Sequence, residues 1–260
     1  ETFGFPMVEA MRAGIPLVVS DIPVHREICG DGALYFELGN PHDLMERIIE
    51  LDRDEALRHR LTKLGLERVQ RIFTWENHVG KLIELMQPLA VPKPLKLLIN
   101  GLHARTGGGV TYLRNMLPLM AAEPDVDVHL CIYDDQRDVI PVDLAEVTYH
   151  FLPYKRAFWS VLMREQVEIP LLAWRLGVDT TFSPANYGPF LAPGRVILVR
   201  NAVSVGFVEQ RPLKLAYWAV LYVATLLSLL TCRRAIAVSE YACYLGGGVV
   251  ASRLRKRIRV

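Results

Sequence analysis

Cysteine is scarce in this chain of 260 residues, which contains only Cys29, Cys131, Cys232 and Cys243. These residues lack the close Cys/His spacing of a metal site, and the chain is too long to be a small secreted scaffold that needs disulfide bonds. We therefore expect buried free thiols, no bound metal and a reducing, cytoplasmic setting.

Charged residues make up 22% of the sequence, which is ordinary for a soluble protein, and the formal net charge is only +2. Residues 1–94 contain 11 Lys/Arg against 15 Asp/Glu, whereas residues 95–260 contain 19 against 13. The basic end of the chain has no interleaved aromatic residues, so no nucleic acid partner is expected. We interpret this end as solvated, with peripheral contact with an anionic membrane, at its inner face, as the alternative. Its basic residues are Arg253, Arg255, Lys256, Arg257 and Arg259.

A dinucleotide-binding fingerprint is also missing. The three glycines at 107–109 do not have the G-x-G-x-x-G spacing, and no acidic residue closes the next strand as expected. An NAD-dependent enzyme is therefore a disfavoured alternative, and no cofactor is expected. The chain begins with Glu1 rather than Met, so we interpret it as a fragment of a longer polypeptide.

The first residues, ETFGFPMVEAMRAGIPLVVSD, combine two carboxylates with a Gly-Phe-Pro turn. The turn and its proline predict a helix over residues 6–13 with Glu9 in the first turn, and the apolar run at 16–19 predicts a buried strand. A helix N-terminus can bind an anion, and a carboxylate can accept hydrogen bonds from vicinal hydroxyls. The segment therefore predicts a site that holds a phosphate and a polyol side by side.

Residues 1–90 resemble the end of the nucleotide-sugar-binding domain of a GT-B glycosyltransferase, of the retaining family called group 1 or family 4. The E-x7-E motif of that family falls on Glu1 and Glu9. Further matches follow in the family's order, and the ordered set makes the resemblance specific. They are Gly14-Ile15-Pro16 with Ser20-Asp21, Glu27, Gly30-Asp31-Gly32-Ala33, Asn40-Pro41 and Phe73-Thr74-Trp75.

The resemblance implies roles for residues of this first segment. Glu9 would bind the ribose of a nucleotide-diphosphate sugar, and Glu1 would face the transferred sugar as the catalytic residue. Backbone N–H groups at Phe3, Gly4 and Phe5 would lie near the sugar and the diphosphate, where such dipoles stabilise a departing charge without a metal. The alternative is that both glutamates are solvated surface carboxylates.

A proline-rich connector divides the sequence. We predict the incomplete C-terminal part of a donor-binding domain at 1–87, a linker at 88–94 and a second domain at 95–260. Before the linker there is too little predicted sheet for an independent Rossmann domain. The predicted strands there lie at 16–19 and 33–36, and the further helices at about 41–51, 54–71 and 75–86.

After the linker, short apolar strands alternate with helices, which predicts a largely parallel, doubly wound sheet. The fold class is therefore α/β, with Rossmann-like half-domains of GT-B type. The predicted strands lie at about 96–100, 126–133, 147–151, 179–182, 196–200 and 235–238. This half resembles the N-terminal, acceptor-side domain of the same family through the glycines at 107–109, Arg164-Glu165-Gln166, Ser183-Pro184-Ala185-Asn186, Arg200-Asn201 and Ala237-Val238-Ser239-Glu240.

The glycine turn supplies the first cleft candidates of this half. The resemblance places Gly107, Gly108 and Gly109 near the donor phosphates or the acceptor, at the N-terminus of a helix predicted over 110–120. Tight packing of helix on strand is the alternative explanation of the glycines. His103 precedes the turn and could reach the cleft, although a histidine there is more often structural or solvated.

Two amides complete the candidates. Asn186 and Asn201 would lie at the carboxyl ends of parallel strands, where open α/β sheets bind ligands. The family often has a His-Asp pair where this chain has Arg200-Asn201, so general-base catalysis from that position is in doubt.

The uncharged run Leu215–Cys232 has 18 residues, long enough to span a membrane on length alone. Because it lies between two strands of one predicted sheet, we expect a buried helix. Peripheral contact with a membrane is the second interpretation, and a true span is the least favoured. The side chains that suit an interface are Tyr217, Trp218 and Tyr222, and the polar stripe is Thr225, Ser228 and Thr231.

A GT-B enzyme runs from acceptor domain to donor domain, and this chain has the reverse order. We interpret it as the junction of a tandem polypeptide, with circular permutation as the rarer alternative, so that this piece contains no complete site and is inactive alone. The parent is predicted to transfer a sugar, with retention, from a nucleotide-diphosphate sugar to a glycan or lipid-linked acceptor in polysaccharide biosynthesis. A catalytically inactive nucleotide-sugar-binding or scaffold module is the alternative.

Overall fold

The structure is a computed structural model that describes residues 3–87, 94–140, 143–154, 160, 163–200, 212–240, 242 and 258–259. Its first half contains α1 (Phe5–Arg12), β1 (Leu17–Ser20), α2 (Pro23–Cys29), β2 (Ala33–Phe36), α3 (Pro41–Arg53), α4 (Glu55–Ile72) and α5 (Trp75–Met86). Its second half contains β3 (Leu95–Asn100), α6 (Gly108–Ala121), β4 (Val126–Tyr133), β5 (Val147–Leu152), the π-helical turn Arg164–Glu168, α7 (Ile169–Leu176), β6 (Thr180–Ser183), β7 (Val196–Val199), α8 (Pro212–Thr231), β8 (Arg234–Ala237) and β9 (Ile258–Arg259).

The two strands of the first half, β1 and β2, pair in parallel from Leu17–Ala33 to Ser20–Phe36. Polar side chains start the helices that follow them, since a side-chain oxygen at the N-cap accepts from backbone N–H groups that would otherwise lack a partner. Asn40 accepts from the backbone at the start of α3, and Thr74 does so at the start of α5. Both residues therefore act as the N-caps of their helices.

A small core joins α1, α2 and α4 around this strand pair. Two glycines allow the close contact: a Cβ added to Gly32 would lie 3.0 Å from the Cα of Gly65. Arg68 extends from α4 and donates to the backbone carbonyls of Ile28 at 2.7 Å and Glu27 at 2.6 Å. The buried apolar residues of this core are Met7, Met11, Val19, Val24, Ile28, Cys29, Ala33 and Val69.

The second half forms one parallel sheet, and its described strands have the order β5-β4-β3-β6-β7-β8-β9. The chain adds β4 and β5 on one side of β3, and later adds β6 and the following strands on the other. The strand order therefore reverses between β3 and β6, the position at which open α/β sheets form a ligand crevice. The predicted Rossmann-like fold class is confirmed, and β9 is a strand that the sequence did not predict.

Helix α5 belongs to the first half by sequence but packs on the second sheet. Leu82 and Met86 are each 1% exposed within the large core that also contains β3, β4, β6 and α6. The backbone carbonyl of Met86 accepts from Thr180 Oγ1 at 3.1 Å, and that of Leu85 accepts from Arg234 Nη1 at 2.6 Å. The core therefore extends across the predicted linker, of which residues 88–93 lie outside the described part.

The apolar run Leu215–Cys232 forms most of α8, between the neighbouring parallel strands β7 and β8. Thr225 and Ser228 of the predicted polar stripe are buried, and apolar side chains face outward instead. In the described residues, no helix has both the length and the apolar character needed to cross a bilayer. The large exposed side chains of α8 are Val220, Tyr222, Val223, Leu227 and Leu230.

The cysteines match the expectation of buried thiols wherever they are described. Cys29, Cys131 and Cys232 are free and buried, and Cys243 lies outside the described residues. Burial raises the pKa of the Cys29 thiol to about 11 and that of Cys131 to about 12, so both are protonated at neutral pH.

Candidate functional site

The first candidate region is the turn into α1. Gly4 has φ 77° and ψ 57°, the left-handed conformation that glycine adopts most readily, and it caps a helix that begins at Phe5. Phe3 packs against Phe73, with ring centroids 5.8 Å apart. Because the helix begins one residue earlier than predicted, Glu9 is not in the first turn, and that prediction was wrong. Glu1 lies outside the described residues.

The orientation of α1 decides how Glu9 can act. Met7 and Met11 are buried on one side of the helix, where Met11 meets Gly65 of α4. Glu9 lies between them in sequence and is exposed, and so is Phe5. The apolar contacts thus fix the helix, and they leave the Glu9 carboxylate available to a ligand. The role of Glu9 in binding a ribose stays a prediction.

The second candidate region is the carboxyl edge of the large sheet, where three buried polar side chains meet. Asn100 ends β3 and Ser183 ends β6, on the two sides of the strand-order reversal. Asn100 Nδ2 lies 3.2 Å from Glu165 Oε1 and 3.4 Å from Ser183 Oγ. All three residues are at most 3% exposed. Buried polar groups of this kind need partners, and here they supply one another.

His103 connects this buried cluster to the surface. Its Nε2 atom lies 2.7 Å from Glu165 Oε1, and its ring meets Tyr187 edge to face with centroids 5.1 Å apart. The side chain of His103 is 25% exposed, whereas that of Glu165 is 4% exposed. Burial lowers the pKa of His103, but the charge of Glu165 and its hydrogen bond outweigh burial, so the pKa is raised overall.

The glycine turn lies beside His103. Gly107 has φ 58°, which favours glycine, and α6 begins at Gly108, two residues earlier than predicted. A Cβ added to Gly109 would lie 3.2 Å from the Cα of Ala104, so close packing of the chain accounts for that glycine. The turn therefore has the helix N-terminus that was predicted, at the same edge as the polar cluster.

Arg200 holds the turn from the end of β7. Its Nη2 donates to the carbonyl of Gly108 at 3.2 Å, and its backbone N–H donates to Asn186 Oδ1 at 2.8 Å. Asn186 thus lies three residues beyond β6 and contacts the backbone at the end of β7, and its role in the cleft stays a prediction. Asn201 lies outside the described residues. The guanidinium carbon of Arg200 also lies 5.1 Å from the ring centroid of Tyr112, behind the turn.

Helix α5 of the first half also contacts Tyr112, behind the glycine turn. His78 Nε2 lies 2.8 Å from the hydroxyl of Tyr112, and Trp75 packs edge to face on that ring with centroids 5.6 Å apart. Burial, together with the charges of Lys81 and Arg200, lowers the pKa of His78 to about 4. His78 is therefore neutral at pH 7.

A second contact joins the halves near the end of β8. The backbone N–H of Glu240 donates to Glu27 Oε1 of α2 at 2.7 Å. The first half therefore touches the second both behind the glycine turn and beyond β8. None of these contacts was predicted, because each pairs residues that are far apart in sequence.

Sequence reasoning did not identify Asn100, Glu165, Tyr112 or His78 as site residues. A glutamate within Met-Arg-Glu-Gln-Val suggests a surface position, so no local signal marked Glu165 as buried. The π-helical turn that contains it is a feature often found at functional sites, but it is visible only in three dimensions. Across the described residues, no group of three or more His, Cys, Asp or Glu is placed to bind a metal.

Comparisons with known proteins match part of the chain. Residues 1–68 match the family model "Glycosyl transferases group 1". The chain is 32% identical over 92 residues to the phosphatidyl-myo-inositol mannosyltransferase of Mycobacterium leprae, which covers 35% of this chain and 24% of that protein. It is 51% identical over 43 residues to the O-antigen chain mannosyltransferase RfbU of Salmonella typhimurium, which covers 16% and 11%.

A third relative, the O-antigen chain mannosyltransferase B of Escherichia coli, is 32% identical over 77 residues, 30% of this chain and 20% of that protein. The chain thus spans about a quarter or less of the length of these curated relatives. No solved structure matches the chain. The family match confirms the resemblance of residues 1–68 to group 1 glycosyltransferases.

Proposed function

We propose, from the match of residues 1–68 to the group 1 glycosyl transferases, that the whole protein transfers a sugar from a nucleotide-diphosphate sugar to a glycan or lipid-linked acceptor, with retention. The observation that carries this proposal is the exposed Glu9 on a helix fixed by buried methionines, directly after the left-handed turn at Gly4. A carboxylate so placed can accept two hydrogen bonds from the vicinal hydroxyls of a ribose.

The donor is proposed to carry mannose, because the names of the three relatives described above share that sugar. The first measurement is saturation-transfer NMR on the 260-residue chain with GDP, UDP, GDP-mannose and the common UDP-sugars. We expect transfer to one nucleotide and its sugar conjugate, and loss of transfer in Glu9→Ala. Signals that are equally strong in Glu9→Ala would contradict the proposed role of Glu9.

The second half is proposed to supply the acceptor side of a cleft. Its glycine turn, Asn186 and the buried cluster around Asn100 lie at one sheet edge, at the reversal of strand order where ligands bind in this class of fold. The tandem interpretation, in which the two halves serve different active centres, remains our proposal for the order of the halves. An inactive binding or scaffold module is the second candidate, because Arg200 stands where the family often has a histidine.

The proposed location is the cytoplasmic face of a membrane. Free, buried thiols suit a reducing compartment. The outward side chains of α8 include Val223 at 53%, Leu227 at 45% and Leu230 at 50% exposed, and Arg233 is exposed two residues after the helix. An anionic lipid surface fits this combination, since acyl chains cover the apolar side chains and phosphates attract the guanidinium.

A further inference from the structure

The buried carboxylate of Glu165 has no role in the proposed function so far. It lies on the π-helical turn, 3% exposed, and a buried ionised carboxylate is costly unless a cation and hydrogen bonds compensate it. The neighbouring Arg164 does not compensate it, because Arg164 Nη1 donates to both carboxylate oxygens of Glu168, at 2.8 and 2.9 Å. Within the described residues, the ion pair of Glu165 is with His103.

The contacts fix where the proton of His103 lies. An ionised carboxylate only accepts hydrogen bonds, so the Nε2 atom that lies 2.7 Å from Glu165 Oε1 must carry a proton. Asn100 Nδ2 donates to the same oxygen and also approaches Ser183, and this holds the carboxylate in place. The other ring nitrogen, Nδ1, has no hydrogen-bond partner in the part of the chain that the structure describes, and the ring is partly exposed at the carboxyl edge.

Other groups around the ring do not replace Glu165 as its counter-charge. Tyr187 faces the ring from the loop after β6. Arg105, two residues after His103, forms an ion pair with Asp135. Its guanidinium carbon lies 3.7 Å from the ring centroid of Tyr154. The charge state of His103 therefore depends mainly on Glu165.

We propose that Glu165 is a positioning residue that orients His103 and pairs with its imidazolium form, which offers its Nδ1–H to an anionic oxygen of a ligand at the carboxyl edge of the second sheet. Glu165 itself does not reach the ligand. The ligand part of this inference rests on the proposed function, in which this edge forms the acceptor side of a sugar-transferring cleft and so lies near the diphosphate of a donor. The pairing of Glu165 with His103 does not depend on it.

The variant Glu165→Gln tests the pair with little change in shape, because the amide oxygen can still accept from His103 and Asn100. The protonation of His103 is followed by NMR of its ring nitrogens and carbons during a pH titration of the 260-residue chain. We expect a proton on Nε2 in the wild type, a pKa above the ordinary value of 6.5, and a lower pKa in Glu165→Gln. The control is Glu168→Gln, which removes a neighbouring carboxylate paired with Arg164 and should leave the pKa of His103 unchanged.

An unchanged pKa in a folded Glu165→Gln chain would overturn the proposal. Should that variant not fold, the wild type alone still decides, because a pKa of His103 at or below 6.5, or a proton-free Nε2, contradicts the pairing. These measurements need no ligand, so their outcome is independent of whether the protein is a glycosyltransferase.

Binding of GDP then tests the role of His103 at the cleft. In the wild type we expect GDP to shift the His103 ring signals and to bind about tenfold more weakly once the pH exceeds the pKa of His103, the effect of one lost charge-assisted hydrogen bond. In Glu165→Gln the decrease in affinity should move to lower pH. GDP that binds without affecting His103, with an affinity independent of pH, overturns the cleft role. Absence of GDP binding in the wild-type chain contradicts the ligand part of this inference, whereas GDP that binds the wild type and not Glu9→Ala supports the donor site at Glu9 whatever the result at His103.

Discussion

The two parallel sheets of this protein place their candidate polar groups in opposite environments. In the first half, a pair of strands supports a helix that presents Glu9 to solvent. In the second half, seven described strands enclose Asn100, Glu165 and Ser183 at the reversal of strand order. A short sequence motif can therefore predict an exposed candidate site, because the position of its side chain depends on a local turn and helix. A buried cluster depends on distant strands and has no local signature.

Helix α5 precedes the linker in sequence but packs on the sheet of the second half. Weakening its packing is therefore the strongest test of how the two halves are joined. We expect Leu82→Ala to lower the free energy of unfolding by about 2–5 kcal/mol, since the side chain is 1% exposed in the core of the second sheet. Ile49→Ala in α3, at a position 38% exposed, is the control and should cost less than about 1 kcal/mol. Urea unfolding measures both. Equal small losses would mean that α5 does not stabilise the second sheet.

The exposed motif of the first half is tested by ligand affinity. Replacing Glu9 by Ala removes up to two charge-assisted hydrogen bonds, so we expect the affinity for the preferred nucleotide sugar to fall about 100-fold with unchanged stability. Glu84→Ala, an exposed glutamate on α5, is the matched control. Isothermal titration calorimetry compares the three chains. Equal affinities in all three would remove Glu9 from the donor site.

Two histidines should make the free energy of unfolding depend on pH in opposite ways, because their pKa values shift in opposite directions. The folded pKa of His78 is lowered to about 4, so between pH 6.5 and 4 the unfolded state binds a proton that the folded state does not. Stability should therefore fall by about 2–3 kcal/mol as the pH decreases through that window. The substitution His78→Gln should reduce this loss of stability at acid pH. Urea unfolding at a series of fixed pH values measures it. An unchanged loss of stability in His78→Gln would show that other groups cause it.

His103 should have the opposite effect, a loss of stability as the pH rises. Its folded pKa is raised by Glu165, so its contribution to stability is complete below 6.5 and is lost as the pH rises through the folded pKa. The same titrations above pH 6.5 should show a fall in the free energy of unfolding that Glu165→Gln reduces. A fall of the same size in Glu165→Gln would contradict this assignment.

The smallest expected effect concerns the outer surface of α8. We expect the chain to sediment with vesicles that contain anionic phospholipid, and the double change Leu227→Ser with Leu230→Ser to weaken this binding about tenfold. Ile49→Ser, an exposed apolar position in the first half, should have no effect. Equal sedimentation of all variants, or none of the wild type, would contradict the proposed lipid contact.

Much of the local structure was predictable because its causes are local. The predicted helix at 75–86 and the strands at 33–36 and 126–133 match the observed bounds. The one-residue error at α1 moved Glu9 out of the first turn, because Gly4 caps the helix and Phe5 is its first residue. The polar stripe of α8 was predictable, but the burial of Thr225 and Ser228 was not, since periodicity does not tell which side of an apolar helix meets the sheet.

The sequence by itself determined the alternation of strands and helices and the motif that resembles group 1 glycosyltransferases, because each depends on residues a few positions apart. Tertiary structure alone decided that α5 covers the second sheet, that His78 is neutral and that His103 is paired with a buried Glu165. These properties come from desolvation and from contacts between residues 34 and 62 positions apart in the chain. Only the folded chain brings such groups together.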